Sequence, residues 1–204
     1  MRHRLGFILL FAGLTVLSGC ALHSTAPTPE RPCGSWAQQQ TRLSALQQWT
    51  LAGKVGLKTP QEQRSANFDW RQQPDHYRMM ISGPFGVGRN TLQGHNDQTE
   101  LSNSNGTFKA STPEALMAQQ MGWSLPISSL HDWIRGLPSP QSAHTLTYDA
   151  CGFPETLHQD GWTIQYTRWD YADGYWLPGR LKMSYSDLSA TLVVNEWHPG
   201  HYDD

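Results

Sequence analysis

The sequence predicts a mainly β protein, an antiparallel sheet carrying a helical cover. Three observations carry that expectation. Apolar residues recur at every second position in run after run, the period of a half-buried strand. A central stretch, residues 111–138, changes to helical spacing. Alternation then returns and persists to Trp197.

The first element is a leader. MRHR is basic, and LGFILLFAGLTVL is an apolar run of 13 residues, shorter than the roughly 20 residues of a membrane-spanning helix. A basic start, a short apolar run and small residues at a cleavage point form a secretory signal. Here the small residues end as Leu17-Ser18-Gly19-Cys20, which resembles the bacterial lipobox. That resemblance implies acylation of Cys20, cleavage before it and a signal peptide of residues 1–19. Ala21 in place of Asp implies sorting to the outer membrane. Several acyl chains at about 0.8 kcal/mol per buried CH₂ would tether such a chain almost permanently. Residues 20–35, rich in Pro, Ser and Thr, read as a linker. The folded domain is expected over residues 36–197, with 198–204 as a polar tail.

Net charge is −2 over 204 residues, and loss of Arg2 and Arg4 with the signal leaves −4. A nucleic-acid partner would call for a basic stripe, which this chain lacks, and a monomer is expected. With Cys20 acylated, Cys33 and Cys151 are left to form a disulfide or to remain thiols in an oxidising compartment. No C-x-x-C or zinc-type spacing occurs, and no metal or cofactor is expected.

Leu43, Leu46 and Trp49 predict a short helix. Period two follows: Leu51, Gly53, Val55 and Leu57, then Ala66, Phe68 and Trp70, then Tyr77, Met79 and Ile81. GPFGVG (residues 83–88) joins this third strand to a fourth, RNTLQG, and shorter strands follow near Thr99–Leu101 and Thr107–Ala110. The glycines make GPFGVG a turn. A phosphate cradle is excluded there, because no G-K-[ST] follows. Its Phe85 either folds back into the core or stands in solvent.

S-T-P-E at 111–114 is a helix start, with a Ser/Thr cap, Pro at the first helical position and Glu in the first turn. Leu116, Met117 and Met121 form its apolar stripe. After Pro126, residues Ile127, Leu130, Trp133, Ile134 and Leu137 form a second helical face, ended by Gly136 and Pro138. Trp162, Ile164 and Tyr166 then alternate. Residues 171–179 read as turn-rich, and Leu181, Met183, Leu192, Val193, Val194 and Trp197 belong to the closing strands.

So many strands curl into a concave face, here rich in aromatic and methionine side chains. Periodicity leaves open whether that face closes on a solid core or an apolar cavity. No G-x-S-x-G, H-E-x-x-H or S-x-x-K set with partners selects an enzyme. His198 and His201 sit three apart in the tail, and the other histidines are scattered.

Several stretches in order resemble the LolB family of outer-membrane lipoproteins, which receive other lipoproteins from the periplasmic carrier LolA. They are L-P-I-x-x-L-x-x-W-I-x-G-L-P at Leu125–Pro138, F-D-W at Phe68–Trp70, and Y-R-M-M-I at Tyr77–Ile81 before a P-x-G turn. W-x-x-x-Y at Trp162–Tyr166 and W-L-P at Trp176–Pro178 complete the set. The resemblance implies an unclosed antiparallel β-barrel with a helical lid over a hydrophobic cavity. Acyl chains would lie against Phe68, Trp70, Tyr77, Met79, Ile81, Leu116, Leu130, Trp133, Ile134, Trp162, Ile164 and Tyr166. It further implies an apolar residue, here Phe85 where the family commonly has Leu, protruding towards outer-membrane lipid. The implied partners are a LolA-type carrier and acylated lipoproteins. The competing reading is a structural lipoprotein with a solid core that acts through protein contacts.

Overall fold

The computed structural model describes residues 29–95 and 98–200. Helix α1 (Trp36–Ala45) precedes six strands: β1 (Trp49–Lys58), β2 (Gln63–Gln72), β3 (His76–Ser82), β4 (Asn90–His95), β5 (Gln98–Asn103) and β6 (Gly106–Ala110). Helices α2 (Pro113–Met121) and α3 (Ile127–Trp133) follow. Five more strands complete the chain: β7 (His144–Tyr148), β8 (Pro154–Gln159), β9 (Trp162–Ala172), β10 (Tyr175–Tyr185) and β11 (Leu188–Pro199). All eleven form one antiparallel sheet in the order β6-β5-β4-β3-β2-β1-β11-β10-β9-β8-β7. Two meanders are thus zipped together where β1 pairs with β11. β6 and β7 remain edges, so the barrel is not closed, and the α2–α3 insert is the stretch of chain that joins those two edges.

Alternation works as read for the first strands. In β1, Leu51, Gly53, Val55 and Leu57 are buried while Lys54 and Lys58 are exposed. The closing strand shows why Leu192, Val194 and Trp197 share a face despite unequal spacing. The register against β1 shifts between Ala52 and Gly53, so a bulge at Asn195 takes up one residue and resets the pleat. A second bulge falls at Gly179 beside Pro178. A Cβ at Gly179 would lie 2.0 Å from the Asp170 carboxylate, so a larger residue there would have to displace the Asp170 and Arg168 side chains. Pro178 is tolerated in a paired strand because the ladder is already broken beside it.

Three expectations need correction. The N-terminal helix spans Trp36–Ala45, and its buried residues are Trp36, Gln39 and Leu43. Leu46 is already extended and Trp49 opens β1. At this helix end the carbonyls of Leu43 and Leu46 both accept from the buried Arg135 guanidinium, each at 2.9 Å. Second, residues 171–179 are mostly strand. The turn is only Asp173-Gly174, with φ of 45° and 88°, the left-handed pair a tight hairpin needs. Third, β7 and β8 form an unforeseen hairpin. β7 is an edge strand, exposed along nearly its whole length, and β8 buries a glutamine where alternation calls for an apolar residue.

The insert begins as its sequence dictates. Thr112 Oγ1 accepts from Ala115 N, Pro113 takes the first position, and Gly122 ends α2 with φ of 74°. After α3, Gly136 N–H donates to Trp133 O at 2.9 Å and Leu137 N–H to Asp132 O at 3.1 Å. That reciprocal pair around a left-handed glycine is a Schellman cap.

Candidate functional site

The insert roofs the concave face of the sheet and is pinned at three places. Glu114, in the first turn of α2, accepts from Ser128 N at 2.9 Å and Ser128 Oγ at 3.3 Å at the start of α3. Arg135 reaches across to α1 and is also paired with Asp132 at 2.6 Å. Burial lowers its pKa and Asp132 opposes that shift. Gln159 of β8 holds the insert's far end: its Oε1 accepts from Trp133 Nε1 and Ser139 N, both at 2.8 Å, and its Nε2 donates to Ser139 O at 2.7 Å. No such pin falls within residues 117–125, which carry Met117, the half-buried Met121 and Trp123, and Leu125.

Beneath that span lies a hollow with a wholly apolar lining. Val55, Phe68, Trp70, Met79, Ile81 and Leu192 form its floor, and Met117, Trp123, Leu125, Ile127 and Leu130 its roof. Its volume is about 20 Å³, space for one water and not for an acyl chain. The site is nearly filled by its own side chains.

Of the residues expected to face acyl chains, Phe68, Trp70, Met79, Ile81 and Leu130 surround this hollow. Leu116 is fully buried within α2. Trp133, Ile134, Trp162, Ile164 and Tyr166 are buried in the same core but lie away from the hollow. There Trp162 packs 6.4 Å from Trp133, and the Tyr166 hydroxyl donates to Trp133 O at 3.1 Å. Tyr77 does not line the hollow; its ring lies over Gly94, where a Cβ would come within 2.1 Å of it. Burial pushes the Tyr77 hydroxyl up to about 12, with Thr99 opposing. Tyr77 lines a separate groove of about 350 Å³ that shares Trp70 and Ile127 with the hollow and also reaches His76, His95, Ser128 and His131. The acyl-chain set expected from the sequence left out Val55, Met117, Trp123, Leu125, Ile127 and Leu192, although alternation or helical spacing had already placed Val55, Met117, Ile127 and Leu192 in apolar stripes.

The loop between β3 and β4 carries an exposed aromatic tip. Pro84–Gly86 make one 3₁₀ turn, closed by Gly83 N to Val87 O at 2.8 Å and Gly86 N to Gly83 O at 3.1 Å. Phe85 is 102% exposed and Val87 71% exposed. Phe85 also adopts φ of 58°, a left-handed conformation that costs a side-chain-bearing residue about 1–2 kcal/mol. The chain thus spends a strained backbone on holding an aromatic ring in solvent.

At the start of the described chain, Cys33 and Cys151 are joined by a disulfide. Gly34 N donates to Cys151 O at 2.8 Å, Arg31 pairs with Asp149 at 2.5 Å, and the Arg31 guanidinium lies 4.6 Å over the Phe153 ring. Cys20 lies outside the described residues.

A family model described as "Outer membrane lipoprotein LolB" matches residues 47–197. The outer-membrane lipoprotein LolB of Chromohalobacter salexigens is 51% identical over 193 residues, covering 95% of this chain and 88% of that one. Its counterpart in Pseudomonas paraeruginosa is 41% identical, covering 96% and 97%. Among solved structures, a LolA superfamily protein from Nitrosomonas europaea superposes with a TM-score of 0.55 at 10% identity, covering 85% of this chain and 96% of that one. A putative outer membrane lipoprotein-sorting protein domain from Vibrio parahaemolyticus gives 0.54 at 10% identity, covering 82% and 93%. At that identity the two structures share the fold alone.

Proposed function

The chain belongs to the outer membrane lipoprotein LolB family, and from that membership we propose that it is a membrane-tethered receptor for acylated lipoproteins. It takes them from a LolA-type periplasmic carrier and releases them into the outer membrane, with Cys20 as its own lipid attachment point. The observation that carries this reading is the apolar hollow between the sheet and a roof that is pinned at both ends and unpinned in the middle.

Exposing a saturated chain of about 16 carbons to water would cost roughly 12 kcal/mol, at about 0.8 kcal/mol per CH₂. The cargo therefore passes from one apolar site to the next. Residues 117–125 lift, Trp123 and Met117 leave the hollow, and the acyl chain replaces them against Phe68, Trp70 and Met79. The flexible thioethers of Met79 and Met117 suit a site that must refill itself when empty. Closure of the roof then favours release, because protein side chains compete for the space the lipid holds. Phe85 meets the bilayer at the moment of transfer. Burying it is worth about 1.5–3 kcal/mol, enough to orient a tethered domain.

The described residues form one sheet and one core, so a soluble form without residues 1–20 retains the whole fold. Incubated with a carrier–lipoprotein complex, it should acquire the lipoprotein. Cargo that stays on the carrier overturns the proposal. A second reading, a structural lipoprotein with a solid core, draws on the small size of the hollow. It requires that acylated peptide leave the Trp70 and Trp123 fluorescence unchanged, whereas the receptor reading requires saturable binding.

A further inference from the structure

The end of the β3–β4 hairpin opposite Phe85 carries a cluster that the lipid-handling reading does not use. His76 is the first residue of β3 and His95 the last of β4, and antiparallel register sets them directly opposite one another. Their rings lie 6.0 Å apart, nearly perpendicular. Asp75, in the β2–β3 turn, reaches the same place, with its Oδ1 2.8 Å from His76 Nδ1. One ligating atom from each of the three lies within 4.8 Å of the others.

We propose that Asp75, His76 and His95 form a binding site for a divalent cation of the zinc class. Two imidazoles and one carboxylate are the donor set that suits Zn²⁺, Ni²⁺ or Cu²⁺ over Mg²⁺ or Ca²⁺. Zinc bonds of about 2.0–2.1 Å to each donor call for these atoms to draw together. Asp75 is exposed and both histidines reach solvent, so side-chain rotation is enough. The backbone has already done the costly part, because strand pairing fixes the two histidines and a tight turn fixes the aspartate. Three protein ligands leave a fourth position for water. A cation there would tie the β2–β3 turn to the end of β4, on the rim of the groove that leads to Ser128 and His131 of the roof.

The test is a calorimetric titration of the untagged soluble form with zinc sulfate at neutral pH. Uptake of one equivalent is expected. His76→Ala, His95→Ala and Asp75→Asn should each weaken it by about tenfold or more, while His198→Ala, in the polar end of β11, should leave it unchanged. For any variant that fails to fold, the wild type supplies the reading: zinc should protect His76 and His95 from imidazole acylation, mapped by mass spectrometry. No zinc uptake by the wild type overturns the proposal. So does wild-type affinity in folded His76→Ala and His95→Ala, or loss of uptake in His198→Ala.

Discussion

Phe85 is where a single side chain says most about use. A core residue changed to a charge costs several kcal/mol, whereas surface changes usually stay within about 0.5 kcal/mol. Phe85→Glu should therefore leave the denaturation midpoint unmoved and still accept cargo from the carrier, but fail to pass it to liposomes. Early melting would contradict its exposure, and normal insertion would contradict its role. Phe85→Leu should insert as wild type does. Tyr77 makes an opposite case, because its hydroxyl is buried and its pKa is raised to about 12. A raised folded pKa gives stability that is fully present below the unfolded value near 10 and lost as pH climbs towards 12. Between those values the wild type should lose more stability than Tyr77→Phe in parallel melts. Equal slopes would mean that the hydroxyl ionises freely in the fold.

At the scale of elements, Arg135 links α3 to α1. One guanidinium donates to the α1 carbonyl of Leu43, to the carbonyl of Leu46 just beyond the helix and to Asp132. Truncating it takes this donor from the Leu46 carbonyl and the half-buried Asp132, so Arg135→Ala should cost about 3 kcal/mol in chemical denaturation. Arg135→Lys should rescue little, because an ammonium lacks the planar fork; a loss below 1 kcal/mol would show that the clamp is dispensable. The same residue marks the limit of sequence reading. Leu43, Leu46 and Trp49 are all buried, so their helical spacing was a sound signal of burial, yet the helix stops at Ala45, where the carbonyls of Leu43 and the extended Leu46 accept from a residue some 90 positions away. β1 to β4 were legible because one face is wet and the other dry. β7 and β8 were not, since an exposed edge has no dry face and Gln159 is buried by satisfied hydrogen bonds, not by apolarity. The floor of the hollow was legible for that reason of alternation. His76 and His95 were not, because nothing in spacing reveals which residues antiparallel register will bring opposite each other.

For the whole molecule the decisive relation is between its two ends. Alternating strand directions put the β3–β4 loop with Phe85 on one rim of the sheet and the β7–β8 turn with Cys151 on the other. The disulfide to Cys33 and the Arg31–Asp149 pair hold the linker at that far rim. A ten-residue strand such as β2 is about 33 Å long at roughly 3.3 Å per residue. The chain from Cys20 to Arg31 spans at most about 36–40 Å, at 3.3–3.6 Å per residue. With Cys20 as the proposed attachment point, the tether is thus long enough for Phe85 to meet the bilayer, with little slack. Deleting residues 22–27 reduces its reach to about 17 Å by the same measure, less than the height of the sheet. The anchored protein with this deletion should take lipoprotein from the carrier normally and insert it poorly. The soluble form with the same deletion, free to present either rim, should transfer to liposomes as well as its undeleted counterpart. Both forms are read in one receptor-to-liposome assay. Insertion at the undeleted rate by the shortened, anchored protein would mean that cargo leaves from the rim where the linker is held, and that Phe85 does not need to face the membrane.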